Sequence, residues 1–519
     1  MNTLIKLFPF FVFCLTNTSA IAQAEGLKTI SEEELLTHVE FLASDSLQGR
    51  MFGTEVPGLD IAADYLALEA SKIGLKPGGE TYFQPVAMVY SRVEDGQASL
   101  VINEKNGTQV FDTDMLIGFY KGSETLAYSG ELIFAGFGHE NEETGYDDFE
   151  GIDVRDKVVL YATGTPESFL KEARGETAGY SNQLERAKWA GIMGKGAKGI
   201  ILTTSPYDKE DNLFKRIRSW MQRPGYALKA DNEDSRENNI VLVTPSIFDG
   251  LKGEGALLQA LENRAENRNT EENPLEGFTA EVSLSYEAGQ LAGKNVIGIV
   301  EGSDPVLKDE CIVFMAHYDH LGVDENGDVF NGADDNASGI ATLLEVAEAF
   351  MSLNKRPKRS IVFLWVTCEE VGMLGSEYYT KHPVFPLENT LACINLDMVG
   401  RVYEKSDDVW KRSPKLVRDF KTLFALSDGN SPWLVEISDE AFKKAGLVPD
   451  KSLPSQFLRS SDHYHFYEKG VPILNYSTGY HADYHEVTDE VSKISFKKMK
   501  KVAELCFWVG FELANHEDK

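Results

Sequence analysis

The sequence predicts an α/β fold whose central sheet carries helices on both faces. Three observations carry that prediction. From about residue 285 onward, five apolar runs (NVIGIV, CIVFMA, SIVFLWV, LACINLD and VPILNYS) are continuous rather than alternating, as strands buried on both faces require. Helix-patterned segments, notably NASGIATLLEVAEAF, lie between them. Residues rich in His, Asp and Glu follow the runs, and ligands of open α/β sheets bind outside the carboxyl ends of the strands.

The chain opens with a segment that reads as a secretory signal peptide over residues 1–24. Lys6 supplies the positive charge, and Leu7 to Leu15 form the apolar stretch. Small residues follow at Thr18-Ser19-Ala20 and Ala22-Gln23-Ala24. No later apolar run approaches the roughly 18–20 residues that a transmembrane helix needs. The mature protein is therefore expected to be exported, periplasmic or secreted, with about two to three domains at ordinary domain sizes.

Residues 25–119 begin the folded part. Over 30–75 they are helix-like, with Ser31 and Glu34 spaced as a capping box and LDIAADYLALEASKIGL spaced for one buried face. Residues 120–275 change character, to short Gly-rich and β-branched stretches such as ELIFAGFG and DKVVLYATG. That segment ends in a charged tract, NRAENRNTEENPLEG, which reads as a linker. Residues 276–519 hold the five apolar runs.

Acidic residues outnumber basic ones, 82 to 51, for a net charge of −31. Such a chain is a poor partner for nucleic acid or an anionic membrane surface. Cys311, Cys368, Cys393 and Cys506 show no CxxC spacing, and three of them sit inside apolar runs, so buried thiols are expected.

The chemistry-bearing residues cluster where the fold predicts. CIVFMA runs into His317-Tyr318-Asp319-His320, and NGADDNASG sets Asp334 and Asp335 at a helix start. SIVFLWVTC ends in Glu369-Glu370, LACINLD in Asp397, and VPILNYS leads to His481 and His485. Any one group has an ordinary reading, as a helix cap or a solvated turn. Five such groups at one edge of one sheet do not.

Imidazole and carboxylate ligands suit zinc, and also manganese or cobalt. The carboxylates exceed the needs of one tetrahedral ion, which points to two ions sharing a carboxylate. Asp335 suits the shared position. Successive residues of an extended segment point opposite ways, so one of Glu369 and Glu370 can bind metal while the other serves as general base. Asp319, two residues beyond His317, is spaced to hold that imidazole through its second nitrogen.

The motifs AHYDHLG, NGADDNASG, CEEVGMLGS, NLDMVGR and SDHYHF, in this order, resemble those of the M28 family of metallopeptidases, the bacterial leucyl-type aminopeptidases. The resemblance implies the zinc-exopeptidase fold, with a mixed central sheet, and two Zn²⁺ ions. In it Asp335 bridges the ions, His317 and Asp397 complete one, and Glu370 and His485 the other. Glu369 is the implied general base and Asp319 the carboxylate supporting His317. The segment SDH implies substrate contacts from Asp462 and His463. Residues 120–275 look similar to the β-rich protease-associated (PA) domain often inserted in the family. Two departures stand out: Val487 replaces a common proline two residues after His485, and His465 replaces a small residue or proline.

The expected function is hydrolysis of amino-terminal residues from peptides. A carboxypeptidase or a glutaminyl-cyclase-like enzyme on the same scaffold is the alternative within the class. A non-catalytic PA-domain binding protein is the alternative outside it, opposed by a ligand set with every position filled.

Overall fold

A computed structural model describes residues 25–516, apart from 105–106, 112–115, 120–124, 176–180, 208–212, 215–224, 230–238, 267–272, 325 and 410–414. The expected signal peptide lies outside the described residues. The chain divides into two compact units. One joins the chain up to Val86 with Ala292–Lys519, and the other is Ala87–Leu291.

After a short helical stretch at residues 25–29, the first unit has helix α1 (Glu32–Leu42), which buries Leu35, Val39 and Leu42. Ser31 caps it, its Oγ accepting the N–H groups of Glu33 and Glu34. The return bond of a capping box does not come from Glu34: the Ser31 N–H donates to Glu345 Oε2 at 2.6 Å. Helix α2 spans Gly58–Ile73 and closes on Gly74 at φ 86°. The helical reading of 30–75 is thus broken between the two helices by a short irregular turn at Asp45–Arg50.

The mixed sheet of this unit contains β1 (Thr279–Val300, through its last residues), β2 (Cys311–His317), β3 (Ser360–Val366), β4 (Thr390–Leu396), β5 (Thr422–Ser427), β6 (Val448–Asp450) and β7 (Ile473–Ser477). The spatial order is β6-β5-β7-β4-β2-β3-β1. The four central strands β7, β4, β2 and β3 are mutually parallel, so their carboxyl ends share one edge. Phe314 pairs with Phe363 on one side and Ile394 on the other.

Alternation along β2 explains why its apolar run is unbroken. Ile312, Phe314 and Ala316 face a core shared with α1, α2, α3 (Gly339–Met351), α5 (Pro432–Ala445) and α7 (Phe496–Asn515). Val313 and Met315 face the opposite core with Tyr379 of α4 (Leu374–Lys381) and Phe466 of α6 (His463–Glu468). With both faces apolar, period-two patterning disappears from the sequence. Helix α3 starts tight against the end of β4: a Cβ on Gly339 would lie 2.8 Å from the Leu396 carbonyl oxygen.

The second unit is an α/β layer with its own cores. Val158–Ala162, Gly199–Thr203 and Ile240–Val243 are parallel neighbours, and Thr125–Phe134 continues the parallel set beside Val158–Leu160. Leu275 is fully buried in this unit, and Asn273 Oδ1 accepts the Phe134 N–H at 3.1 Å. The end of the tract read as a linker is therefore packed into the unit, which also extends beyond 120–275 on both sides. No disulfide joins the four buried cysteines. Among the described residues, no helix is long and apolar enough to cross a membrane.

Candidate metal centre

The parallel arrangement delivers the polar groups to one place. His317 ends β2, Glu369 and Glu370 follow β3, Asp397 follows β4, and His485 lies in the loop beyond β7. Asp335 comes from the turn before α3. Three of these loops use left-handed backbone at non-glycine residues, Cys368 (φ 64°), Met398 (φ 59°) and His485 (φ 59°), a strain often found where side chains are aimed for function.

The two oxygens of Asp335 look in different directions. Oδ1 lies 3.3 Å from His317 Nε2, which is 3.6 Å from Asp397 Oδ1. Oδ2 lies 3.3 Å from His485 Nε2, which is in turn 3.3 Å from Glu370 Oε2. His317 Nε2 is buried and makes no hydrogen bond. Ligand atoms about 2.0–2.2 Å from a tetrahedral zinc stand roughly 3.3–3.6 Å apart, so both groups of atoms have the spacing that an ion between them requires. The residues present fit two such ions, with Asp335 common to both.

His485 and His481, both eligible in sequence, are separated by their hydrogen bonds. His481 Nδ1 accepts Arg401 Nη1–H at 2.9 Å, which takes its lone pair and turns Nε2 toward Asp334, 3.3 Å away. Arg401 also donates to Asp483 at 2.9 Å and is 1% exposed. This buried network lies behind the centre and leaves Arg401 unable to clamp a substrate carboxylate. Arg459, the other basic candidate, is exposed and stacks its guanidinium over Tyr464.

Asp319 departs from the role expected of its carboxylate. Its oxygens accept the backbone N–H groups of Glu369 and Glu370 at 3.0 and 3.1 Å. His317 Nδ1 lies 3.8 Å from that carboxylate and 3.2 Å from the Asp319 carbonyl oxygen, which is the acceptor that fixes the imidazole. The strand-end turn swings the side chain away from His317 while leaving the carbonyl beneath it. Asp319 supports the ligand-bearing loops on both sides.

Charge crowding sets opposite tendencies in the adjacent glutamates. Burial pushes Glu369 well above the usual carboxylate range; His317 opposes this, while Glu370, Asp462 and Asp397 reinforce it. Burial and Asp335 also push Glu370 up, but hydrogen bonds from His320 and His485 outweigh them and hold it at about 2. Glu369 is the carboxylate suited to taking up a proton, and Glu370 the one that stays anionic.

Asp462 is fully buried, and burial pushes it up to about 7 against the pull of His317. Its charge is felt by Glu369, which places it beside the centre. His463 is not brought there. Its Nε2–H donates to the Phe457 carbonyl at 3.0 Å, and burial lowers its pKa to about 4.

Several participants carry no sequence signal of their role. His320 Nδ1 donates to Glu370 Oε1 at 2.9 Å. Asp489 accepts the N–H groups of Asp334 and Asp335, holding the shared carboxylate's backbone. Tyr484 stacks on His485 with ring centroids 3.8 Å apart, and Tyr480 lies 4.4 Å beyond it. The repeated tyrosines of GYHADYHE were the available hint.

Comparison with known proteins agrees with this geometry. Residues 295–509 match the model for Peptidase family M28. The chain is 30% identical over 234 residues to Aminopeptidase YwaD of Bacillus subtilis (strain 168), covering 44% of this chain and 46% of that protein. It is 26% identical over 218 residues to Leupeptin-inactivating enzyme 1 of Streptomyces exfoliatus, covering 42% of each. The match thus spans less than half the length of these curated relatives. In fold, the chain resembles an aminopeptidase from Aneurinibacillus sp. strain AM-1, with a TM-score of 0.57 and 20% identity over 96% of this chain and 97% of the other. The five loops that gather His317, Asp335, Glu370, Asp397 and His485 at one sheet edge lie within the stretch, residues 295–509, that is similar to Peptidase family M28.

Proposed function

We propose that the protein is an exported aminopeptidase that uses two zinc ions and a glutamate general base. The observation that carries this reading is Asp335, whose oxygens face two separate histidine–carboxylate groups. His317, Asp335 and Asp397 would hold one ion, and Asp335, Glu370 and His485 the other; manganese or cobalt suits the same donors. Ions bound there supply Lewis acidity toward the scissile carbonyl.

The rest of the chemistry belongs to the chain. Glu369 takes a proton from the attacking water as its oxygen bonds to the carbonyl carbon. The same carboxyl then returns that proton to the departing amine nitrogen as the carbon–nitrogen bond breaks. The carboxyl groups of Asp397 and Asp462 beside the centre offer acceptors, which suit a free terminal ammonium and not a terminal carboxylate. Residues 120–275, which lie within the unit Ala87–Leu291, are read as a PA-type insert on their place in the chain and their short β-branched stretches. The charge of Lys6 followed by the apolar stretch Leu7 to Leu15 supports the export reading.

The test is to strip purified mature protein with a chelator, reload it with zinc, and count ions by elemental analysis. A panel of aminoacyl chromogenic substrates reads activity in parallel. Two ions per chain with restored hydrolysis support the reading. One ion at full activity overturns the two-ion centre, and two ions without hydrolysis of any substrate make the protein a binding module.

A further inference from the structure

The turn between α1 and α2 carries Arg50, far in sequence from any ligand yet 1% exposed. Its guanidinium is spent entirely on backbone carbonyls. Nε donates to Tyr318 at 2.7 Å, Nη1 to Asn331 at 2.7 Å and to Leu42, and Nη2 to Gly332 at 3.1 Å and Asp335 at 3.5 Å. Five N–H groups thus meet five acceptors, the full capacity of the side chain. Tyr318 follows His317, while Asn331, Gly332 and Asp335 belong to the turn that presents the shared carboxylate. One side chain therefore ties together the two loops whose ligand atoms, His317 Nε2 and Asp335 Oδ1, stand 3.3 Å apart.

The backbone beside it adds a second tie. The Arg50 carbonyl accepts the His320 N–H at 3.2 Å, and the Gly49 carbonyl accepts that of Gly322 at 3.0 Å. Gly49 has φ +67°, and a Cβ there would sit 2.2 Å from the Gly322 carbonyl oxygen, so only glycine permits this approach. The cation also stands among Asp335, Asp319, Asp489 and Glu370, whose charges favour it against the cost of its burial.

We propose that Arg50 is a positioning residue of the metal centre, holding the His317 and Asp335 loops at the separation an ion needs and thereby setting metal affinity. The proposal rests on the two-metal reading above. A fixed fork is essential to it: lysine at this position keeps the charge but offers donors from one point and cannot span the two loops.

The experiment compares wild type, Arg50→Lys and Gly49→Ala as full mature proteins. Apo samples are titrated with Zn²⁺ against a competing chelator, and unfolding is followed with and without zinc. Supporting residues around metal ligands typically cost about 10–100-fold in affinity when changed, and a weakening of that order is expected for Arg50→Lys. Saturating zinc should restore substrate KM. Gly49→Ala, which leaves the guanidinium intact, should weaken zinc binding in the same direction and serves if Arg50→Lys does not fold. If either folded variant binds zinc as wild type does and loses only apo stability, Arg50 is a staple of the fold and the proposal fails. Failure of the wild type itself to bind two ions would instead remove the two-metal reading.

Discussion

The carboxylate of Asp319 accepts the backbone N–H of Glu369 at 3.0 Å, and its other oxygen accepts that of Glu370 at 3.1 Å. One buried side chain thus pins two consecutive peptide units. Two side chains of the same type, pinned side by side, meet different surroundings: Glu370 accepts hydrogen bonds from His320 and His485, whereas around Glu369 the pull of His317 is opposed by Glu370, Asp462 and Asp397.

The pair should therefore separate on mutation. Glu369→Gln is expected to retain both ions and lose roughly 10²–10⁴ in kcat, the usual cost of removing a general base. Glu370→Gln should lose one ion on dialysis. Elemental analysis beside steady-state kinetics checks both, and metal loss from Glu369→Gln instead would reverse the two roles.

The two histidines beyond β7 should separate as well. His485→Ala is expected to cost one bound ion with little change in global stability, since this residue is partly exposed. His481→Ala should leave metal stoichiometry intact but destabilise the fold by about 1–3 kcal/mol, because Arg401 and Asp334 lose a buried partner. Urea denaturation of the two variants, with metal counts on the same samples, distinguishes these outcomes.

A third expectation concerns acid stability. Burial lowers His463 from 6.5 to about 4, so the folded protein excludes a proton that the unfolded chain accepts. The stability this contributes is fully present above pH 6.5 and is lost as pH falls toward 4. His463→Gln, whose amide can still donate to the Phe457 carbonyl, should flatten that part of the stability–pH curve. Denaturation midpoints measured across the window in both proteins check it; parallel curves would refute the assignment.

The last expectation concerns which end of the peptide is read. With Arg401 tied to His481 and Asp483, and carboxylates around the centre, a free amino terminus is the group to be held. Acetylating the amino terminus of a short substrate should stop cleavage, whereas amidating its carboxyl terminus should change kcat/KM little. The reverse result would identify a carboxypeptidase.

Much of the catalytic unit is legible because burial on both faces writes itself as unbroken apolar runs, and because ligands must sit where those runs end. What escaped the sequence depends on backbone groups rather than side-chain identities. Arg50 looks like an ordinary loop arginine, since carbonyls nearly 300 residues away leave no trace in composition. The spacing of His317 and Asp319 suggested a direct pair, but the turn after β2 lends the imidazole a carbonyl and gives the carboxylate to Glu369 and Glu370. The limits of the second unit were also hidden, because β1 runs as one unbroken strand through Leu291 and Ala292, past Gly289 and Gly293.

On the two-ion reading proposed above, dispersal of the ligands over five loops also orders events during synthesis. A growing chain displays His317 first, then Asp335, Glu370 and Asp397, while His485 is delivered only after β7. Until β7 has docked beside β4, the shared carboxylate can serve only one side. On that reading, a nascent or truncated chain that lacks β7 and His485 cannot complete the centre, and the order of the strands alone delays its assembly.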